Sequence, residues 1–118
     1  IHDRPERKEG FSDIGEAFMP VFDALGIDLV LTAHLHTYRN RGHIKAFRRS
    51  PKGPVYILTG VAGDVRYPNL WVDHALDEAV APQPETDNYL VLEAKDAQLA
   101  VECFLPDGTR IDRVEVVK

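Results

Sequence analysis

The chain has 118 residues, a formal net charge of −5 at neutral pH and 44% hydrophobic residues. This length predicts one small domain or part of a larger one, with enough apolar residues for a core. The negative charge argues against a nucleic-acid surface, because broad contact with phosphates needs a basic face. No apolar run approaches the length of a membrane span. The single cysteine, Cys103, excludes an internal disulfide and predicts a buried thiol.

The first predicted element is an amphipathic helix between Ser12 and Gly26. Ser12 is typical of an N-cap and Gly26 of a C-terminal cap. Apolar side chains recur there at helical spacing and predict one apolar stripe: Ile14, Ala17, Phe18, Val21, Phe22 and Leu25. Pro20 lies inside this pattern, so a kink or a second short helix is expected at that position.

A buried strand is predicted next, and it ends in two histidines. Residues 27–31 are aliphatic or β-branched and follow a glycine. If the backbone stays extended past the strand, His34 and His36 leave the same side of the chain. Ligand sites of open α/β sheets lie beyond the carboxyl ends of strands. The pattern favours a pair of metal-binding imidazoles; the alternative is two exposed or hydrogen-bonded histidines without a special role.

The remainder of the chain predicts mostly β-structure. Strands are expected over 43–47, 55–59, 89–93, 99–105 and 110–117. The first two are joined around 51–53, and the last three form hairpins. Residues 60–63 form a glycine loop that predicts close backbone packing near the histidines. A loop follows over 64–87, with a short helix over 73–80 as one interpretation.

A local basic stretch follows the histidines and extends from Arg39 to Lys52. We favour its interpretation as a solvated hairpin. The functional alternative is that one or two of its arginines face a phosphate, because the guanidinium group suits bidentate recognition of phosphate oxygens.

The histidine segment resembles the last motif of the calcineurin-like metallophosphoesterases, Gly-His-x-His after a hydrophobic strand. It is most similar to the purple-acid-phosphatase-like branch, in which a tyrosine stands where this chain has Tyr38. Ala33 replaces the usual glycine, and Asn40, between Arg39 and Arg41, replaces an arginine of the motif. Three further segments are similar to the strands and glycine loop that follow in that branch: 53–63, 88–93 and 106–112.

The resemblance implies an α/β fold, the C-terminal half of a four-layer α/β/β/α metallophosphoesterase sandwich, with one main helix packed on a mostly β fragment. Residues 1–118 would be the C-terminal portion of that domain, and its subdivisions would be 1–63 (helix, strand and histidine motif), 64–87 (loop) and 88–118 (closing antiparallel strands). The implied partner is the missing N-terminal half of the same domain, which carries two Asp and one Asn ligand in the family. A sheet edge left exposed would also favour a homodimer.

The resemblance also implies a dinuclear metal site for phosphoester hydrolysis. His34 would bind one metal and His36 the other, and both would therefore be catalytic; His2, at the end of the preceding strand, is the candidate third ligand. Tyr38, Arg39 and Arg41 are weaker candidates for contact with the phosphoester substrate. The two divalent or trivalent ions would be Fe, Zn or Mn, without distinction among them. Such a pair clamps phosphate oxygens and generates a metal-bound hydroxide.

The full enzyme would then hydrolyse a phosphomonoester or a phosphodiester, and the isolated chain is expected to be inactive because the family's carboxylate ligands lie upstream. The competing prediction is a β-rich binding module without catalysis, whose histidines are incidental. The two hypotheses differ in metal affinity, which only the first requires.

Overall fold

The computed structural model describes residues 11–63 and 74–118, which form one helix and two sheets. The helix α1 spans Asp13–Leu25. The strands are β1 (Leu29–Thr32), β2 (Tyr38–Lys45), β3 (Arg48–Arg49), β4 (Val55–Thr59), β5 (Ala79–Val80), β6 (Tyr89–Lys95), β7 (Gln98–Phe104) and β8 (Arg110–Val117). The expected α/β class with one main helix on a mostly β chain is confirmed. In the described part of the chain, no helix has the length and apolarity needed to cross a membrane.

The ends of α1 are those predicted from its caps. The Ser12 hydroxyl accepts a hydrogen bond from the Gly15 amide at 3.1 Å, and Gly26 adopts the left-handed conformation with φ 66°. The helix continues through Pro20, so the prediction that a second helix begins there is wrong. Met19 before the proline and Phe22 after it pack in the same apolar cluster. This shared packing holds the two helical turns together as one element.

The predicted apolar stripe of α1 faces the core only in part. Gly15 and Met19 are buried, and Phe22 is partly buried against the sheet. Five members of the stripe are instead exposed: Ile14, Ala17, Phe18, Val21 and Leu25. The helix is apolar over a wider arc than the described sheet covers, so most of the predicted stripe lies in solvent.

The first sheet has the strand order β1-β4-β2-β3. The short strand β5 also pairs with β2, at a different part of that strand from β3. β1 and β4 are parallel, with Leu29 opposite Val55 and Thr32 opposite Leu58. β2 runs antiparallel to β4. Among the described strands β1 is therefore an edge strand, and it runs opposite to β2, the strand that follows it in the chain.

The hairpin between β2 and β3 differs from the prediction. A strand was expected through Phe47, but β2 ends at Lys45 and the chain reverses at Ala46 and Phe47, which have φ values of 49° and 62°. Positive φ at both central residues is typical of a type I′ turn, which usually carries Asn-Gly. Tertiary contacts hold this turn: Asp23 accepts a hydrogen bond from the Ala46 amide at 2.8 Å, and Phe47 packs edge-on against a phenylalanine ring. The turn expected around 51–53 joins β3 to β4 instead.

The second sheet is the antiparallel meander β6-β7-β8. The three closing strands are confirmed, with ends within two residues of those expected. The short helix over 73–80 is wrong for the described residues 74–80, where a turn leads into β5. An apolar cluster lies between the two sheets and comprises Tyr38, Val55, Ile57, Ala81, Val101, Cys103 and Val116. The buried position of Cys103 is confirmed.

Candidate functional site

The two histidines lie in a turn over residues 33–37, which we call the histidine turn. It begins at the carboxyl end of β1 and leads into β2. Because β4 is parallel to β1, the glycine loop after β4 leaves the same end of the sheet. The Gly60 amide donates a hydrogen bond to the Thr37 carbonyl at 3.1 Å, which joins the two segments.

The backbone of the histidine turn is not extended. His34 and His36 have φ values of 85° and 51°, in the left-handed region. The condition under which both side chains would leave the same side of the chain, an extended backbone past β1, is therefore not met. The physical reason is topological: the chain must reverse direction and pass the end of β4 between β1 and β2. Ala33 does not have a positive φ, so its replacement of the motif's glycine introduces no backbone strain.

The histidine turn is fastened at its C-terminal end by Glu85. One carboxylate oxygen, Oε2, accepts a hydrogen bond from the Thr37 hydroxyl at 2.7 Å. The other, Oε1, accepts from the Tyr38 amide at 2.7 Å and from the Asn88 side-chain amide at 3.0 Å. One carboxylate thus contacts the two residues that follow His36.

The glycine loop packs closely under the same segment, as the sequence predicts. Gly60 has φ 82°, and a Cβ atom placed on it would lie 1.7 Å from Oδ1 of Asn88. The Asn88 amide donates to the Val61 carbonyl at 2.9 Å, and Asp87 accepts from the Gly63 amide at 2.8 Å. The glycines therefore allow residues 85–88 to lie against the loop.

Tyr38 is buried and joins the two sheets. Its hydroxyl donates a hydrogen bond to Oδ2 of Asp112 at 2.7 Å, and the Asn40 side chain donates to the same oxygen at 3.0 Å. Burial, reinforced by the hydrogen bond with Asp112, raises the pKa of Tyr38. Burial, followed by the nearby Asp112 and Glu85 carboxylates, raises the pKa of Cys103 to about 12. The thiol is consequently protonated at neutral pH and a poor nucleophile.

Arg39 and Arg41 are buried and form ion pairs with Asp77. The distances are 2.8 Å from Arg39 Nη1 to Oδ2 and 3.2 Å from Arg41 Nε to Oδ1. The same carboxylate accepts a hydrogen bond from the His74 amide at 2.8 Å. The interpretation of the basic stretch as a solvated hairpin is therefore wrong at these two positions, where the strand lies beneath the 74–78 segment. Contact of Arg39, Arg41 or Tyr38 with a substrate stays a prediction.

The donor set for a metal is incomplete within the described residues. His34 is exposed and His36 half-buried. Imidazole suits Zn, Fe and Cu, among other metals. Across 11–63 and 74–118, however, no group of three or more His, Cys, Asp or Glu side chains is arranged to hold a metal ion. His2, the predicted third ligand, lies outside the described residues.

Sequence reasoning did not find the acidic and amide side chains that organise this region. Glu85 and Asn88 lie in and after a proline-containing loop, and Asp77 and Asp112 are distant in sequence from their partners. No local spacing marks any of them. Each is recognised only from the tertiary contact that it makes.

The chain is similar to purple acid phosphatase 15 of Arabidopsis thaliana. The two sequences are 31% identical over 71 residues, which are 60% of this chain and 13% of that protein. The match therefore spans about an eighth of its curated relative. No family model matches the chain, and no solved structure matches it. The similarity suggests an origin among purple-acid-phosphatase-like sequences.

Proposed function

We propose that the chain is the C-terminal part of a metal-dependent phosphoesterase. The observation that carries the proposal is the similarity to a purple acid phosphatase. The fold supports it, because His34 and His36 lie at the carboxyl end of a strand, where α/β proteins place their ligands. In the whole protein these histidines would belong to a two-metal centre of the α/β/β/α sandwich, with His2 as a third ligand.

The roles follow from the chemistry of the donors. Neutral imidazoles of His34 and His36 would each hold one ion, of Fe, Zn or Mn, at the end of a rigid strand. When bound, such a pair of ions supplies Lewis acidity and a nucleophilic hydroxide for hydrolysis of a phosphomonoester or phosphodiester. Arg39 and Arg41 are proposed as substrate contacts in the whole protein. Their ion pairs with Asp77 would have to open, or their remaining N–H groups be shared, for direct contact.

The proposed partner of this chain is the remaining half of the same domain. Four large apolar side chains of α1 are exposed, at positions that would lie on one side of the helix: Ile14, Phe18, Val21 and Leu25. The outer edge of β1 is also unpaired among the described strands, and Leu31 on β1 is exposed. A further layer or strand added there would bury this surface. Pairing of two copies through the β1 edge is the competing outcome in a measurement of mass in solution.

The decisive test is calorimetric titration of the 118-residue chain with Zn²⁺ or Mn²⁺. We expect binding that weakens at least tenfold in both His34→Ala and His36→Ala. The matched control is His43→Gln, because Nδ1 of His43 is engaged with the Gly53 carbonyl at 2.7 Å and glutamine can retain a hydrogen bond there. The control should bind as the wild type does.

Hydrolysis of p-nitrophenyl phosphate tests the second part of the proposal. The isolated chain should show no turnover, because two imidazoles do not hold a bridged metal pair. Turnover by this chain that His34→Ala abolishes would contradict the incomplete-site proposal. Metal binding that is insensitive to both histidine substitutions would contradict the enzyme proposal and favour the binding module.

A further inference from the structure

We propose that Glu85 is a positioning residue for His34 and His36, because its carboxylate binds the two residues that follow His36 and is itself bonded to Asn88, which packs against the glycine loop. The inference rests on the proposed function, in which the histidines are ligands. It adds a residue that does not itself bind metal and whose effect is transmitted through the backbone of the histidine turn.

The histidine turn needs an external constraint. Both histidines have left-handed backbone conformations, which L-residues other than glycine rarely adopt without support. A turn of this kind relaxes if its ends are not held. Its N-terminal end is held by the parallel pairing of β1 with β4.

The other end is held in part by β2, whose Tyr38 pairs with Thr59 of β4, and by the Gly60 amide, which donates to the Thr37 carbonyl. Glu85 adds a constraint that involves side chains. It accepts one hydrogen bond from the Thr37 side chain and one from the Tyr38 main chain, both at 2.7 Å. Hydrogen bonds to a carboxylate are stronger than those between neutral groups. Because one bond is to the hydroxyl and the other to the following amide, the pair fixes both the path and the orientation of the chain directly after His36.

Glu85 is itself held by the neighbouring loop. Asn88 donates to Glu85 at 3.0 Å and to the Thr86 carbonyl at 3.2 Å, and its side chain lies directly against Gly60. The Asn88 amide is bonded to Val61. A continuous set of contacts therefore joins the end of β4 to the histidine turn through residues 85–88.

Positioning and direct ligation predict different effects of an isosteric substitution. In Glu85→Gln the amide oxygen can still accept from Tyr38, and the amide nitrogen can donate to the Thr37 hydroxyl, so the geometry survives without the charge. A metal ligand would lose its anionic donor in the same variant. Glu85→Ala removes the contacts in either case.

The experiment compares Zn²⁺ affinity by calorimetry in wild type, Glu85→Ala, Glu85→Gln and a charge-matched control. The control is Glu78→Ala, which removes a carboxylate that pairs with Arg49 at 2.8 Å. We expect Glu85→Ala to weaken binding at least tenfold, in the range found for groups that orient metal ligands. Glu85→Gln should restore the affinity to within threefold of wild type, and Glu78→Ala should match wild type.

A second readout needs no metal. Amide spectra of the isotope-labelled chain should show that Glu85→Ala shifts the signals of residues 34–38 and accelerates hydrogen exchange at Tyr38, while Glu78→Ala leaves both unchanged. Unchanged signals in Glu85→Ala would overturn the positioning role. If the wild type binds no Zn²⁺, the proposed function fails, but these spectra still decide whether Glu85 holds the turn.

The remaining outcomes are equally decisive. Wild-type affinity in Glu85→Ala would overturn the inference, and equal losses in Glu85→Ala and Glu85→Gln would replace positioning with a requirement for the charge. If Glu85→Ala does not fold, Thr37→Val removes a single contact in its place. That variant should weaken Zn²⁺ binding, and Thr37→Ser, which keeps the hydroxyl, should restore it; no difference between them would contradict the inference.

Discussion

Tyr38 and Tyr56 are both buried in the first sheet, but their hydroxyl groups differ in their partners. Tyr38 donates to Asp112 at 2.7 Å, whereas the Tyr56 hydroxyl has no hydrogen-bond partner among the residues that the structure describes. Tyr38→Phe should lower the free energy of unfolding by about 1–3 kcal/mol, because the half-buried Asp112 carboxylate loses a donor. Tyr56→Phe should leave it unchanged or raise it, since it removes a buried polar group that makes no bond. Urea unfolding at neutral pH measures both.

The pH dependence of the free energy of unfolding provides a second test of these variants. Burial, followed by the nearby Asp23 carboxylate, raises the pKa of Tyr56 to about 12. The unfolded chain ionises its tyrosines near pH 10, so the stabilising effect of the higher pKa is complete below pH 10 and is lost as the pH rises towards 12. In that interval, each tyrosine with a raised pKa lowers the free energy of unfolding by up to about 1.4 kcal/mol per pH unit. Tyr56→Phe should make the alkaline fall shallower; an unchanged slope would contradict the assignment.

At the scale of the element, the glycine loop offers a matched pair of substitutions. Gly60 and Gly63 both have positive φ, but among the described residues only Gly60 has a neighbour where a Cβ would lie. Gly63→Ala should therefore cost about 1–2 kcal/mol, the price of a left-handed alanine. Gly60→Ala should cost at least about 1 kcal/mol more, because it displaces the Asn88 side chain from its hydrogen bond with Glu85. Thermal and urea unfolding of the two variants would reveal the difference; equal costs would show that Asn88 moves without penalty.

The elements also show what the sequence can predict. The caps of α1 and the three closing strands follow from local signals, namely Ser12, Gly26 and the turn residues between strands. The hairpin at Ala46 was missed because neither of its central residues is a turn former, and Asp23 holds it from a distant part of the chain.

The histidine positions were predicted from sequence, but their conformation was not. Extended backbone was expected because the strand before them is strongly β-forming, and the reversal is imposed by the position of β2 on the far side of β4. Glu85 left no local signal, since its bonds to Thr37 and Tyr38 cross more than 40 positions of sequence. Local patterns thus identify which groups can react, while tertiary topology decides how they are held.

At the scale of the whole molecule, α1 has an apolar side on the sheet and an apolar side in solvent. Two consecutive residues represent these two sides: Met19, on the sheet side, is 2% exposed, whereas Phe18, on the solvent side, is 52% exposed. Met19 belongs to the cluster with Phe11, Ile44 and Tyr56. The exposed side is the surface that we propose the rest of the domain covers.

Alanine substitutions of Met19 and Phe18 should have very different effects on the stability of the isolated chain, and this difference tests the proposal. Met19→Ala should lower the free energy of unfolding by about 2–5 kcal/mol, because it leaves a cavity in the core. Phe18→Ala should change it by less than about 1 kcal/mol in this chain, since the ring is half in water, packs on the neighbouring Phe22 of the same helix and is replaced by a better helix former. In a protein that contains the whole domain, the cost of Phe18→Ala should rise towards that of Met19→Ala. A cost that stays small there would show that this face of the helix remains in solvent and would contradict the proposal that the rest of the domain covers it.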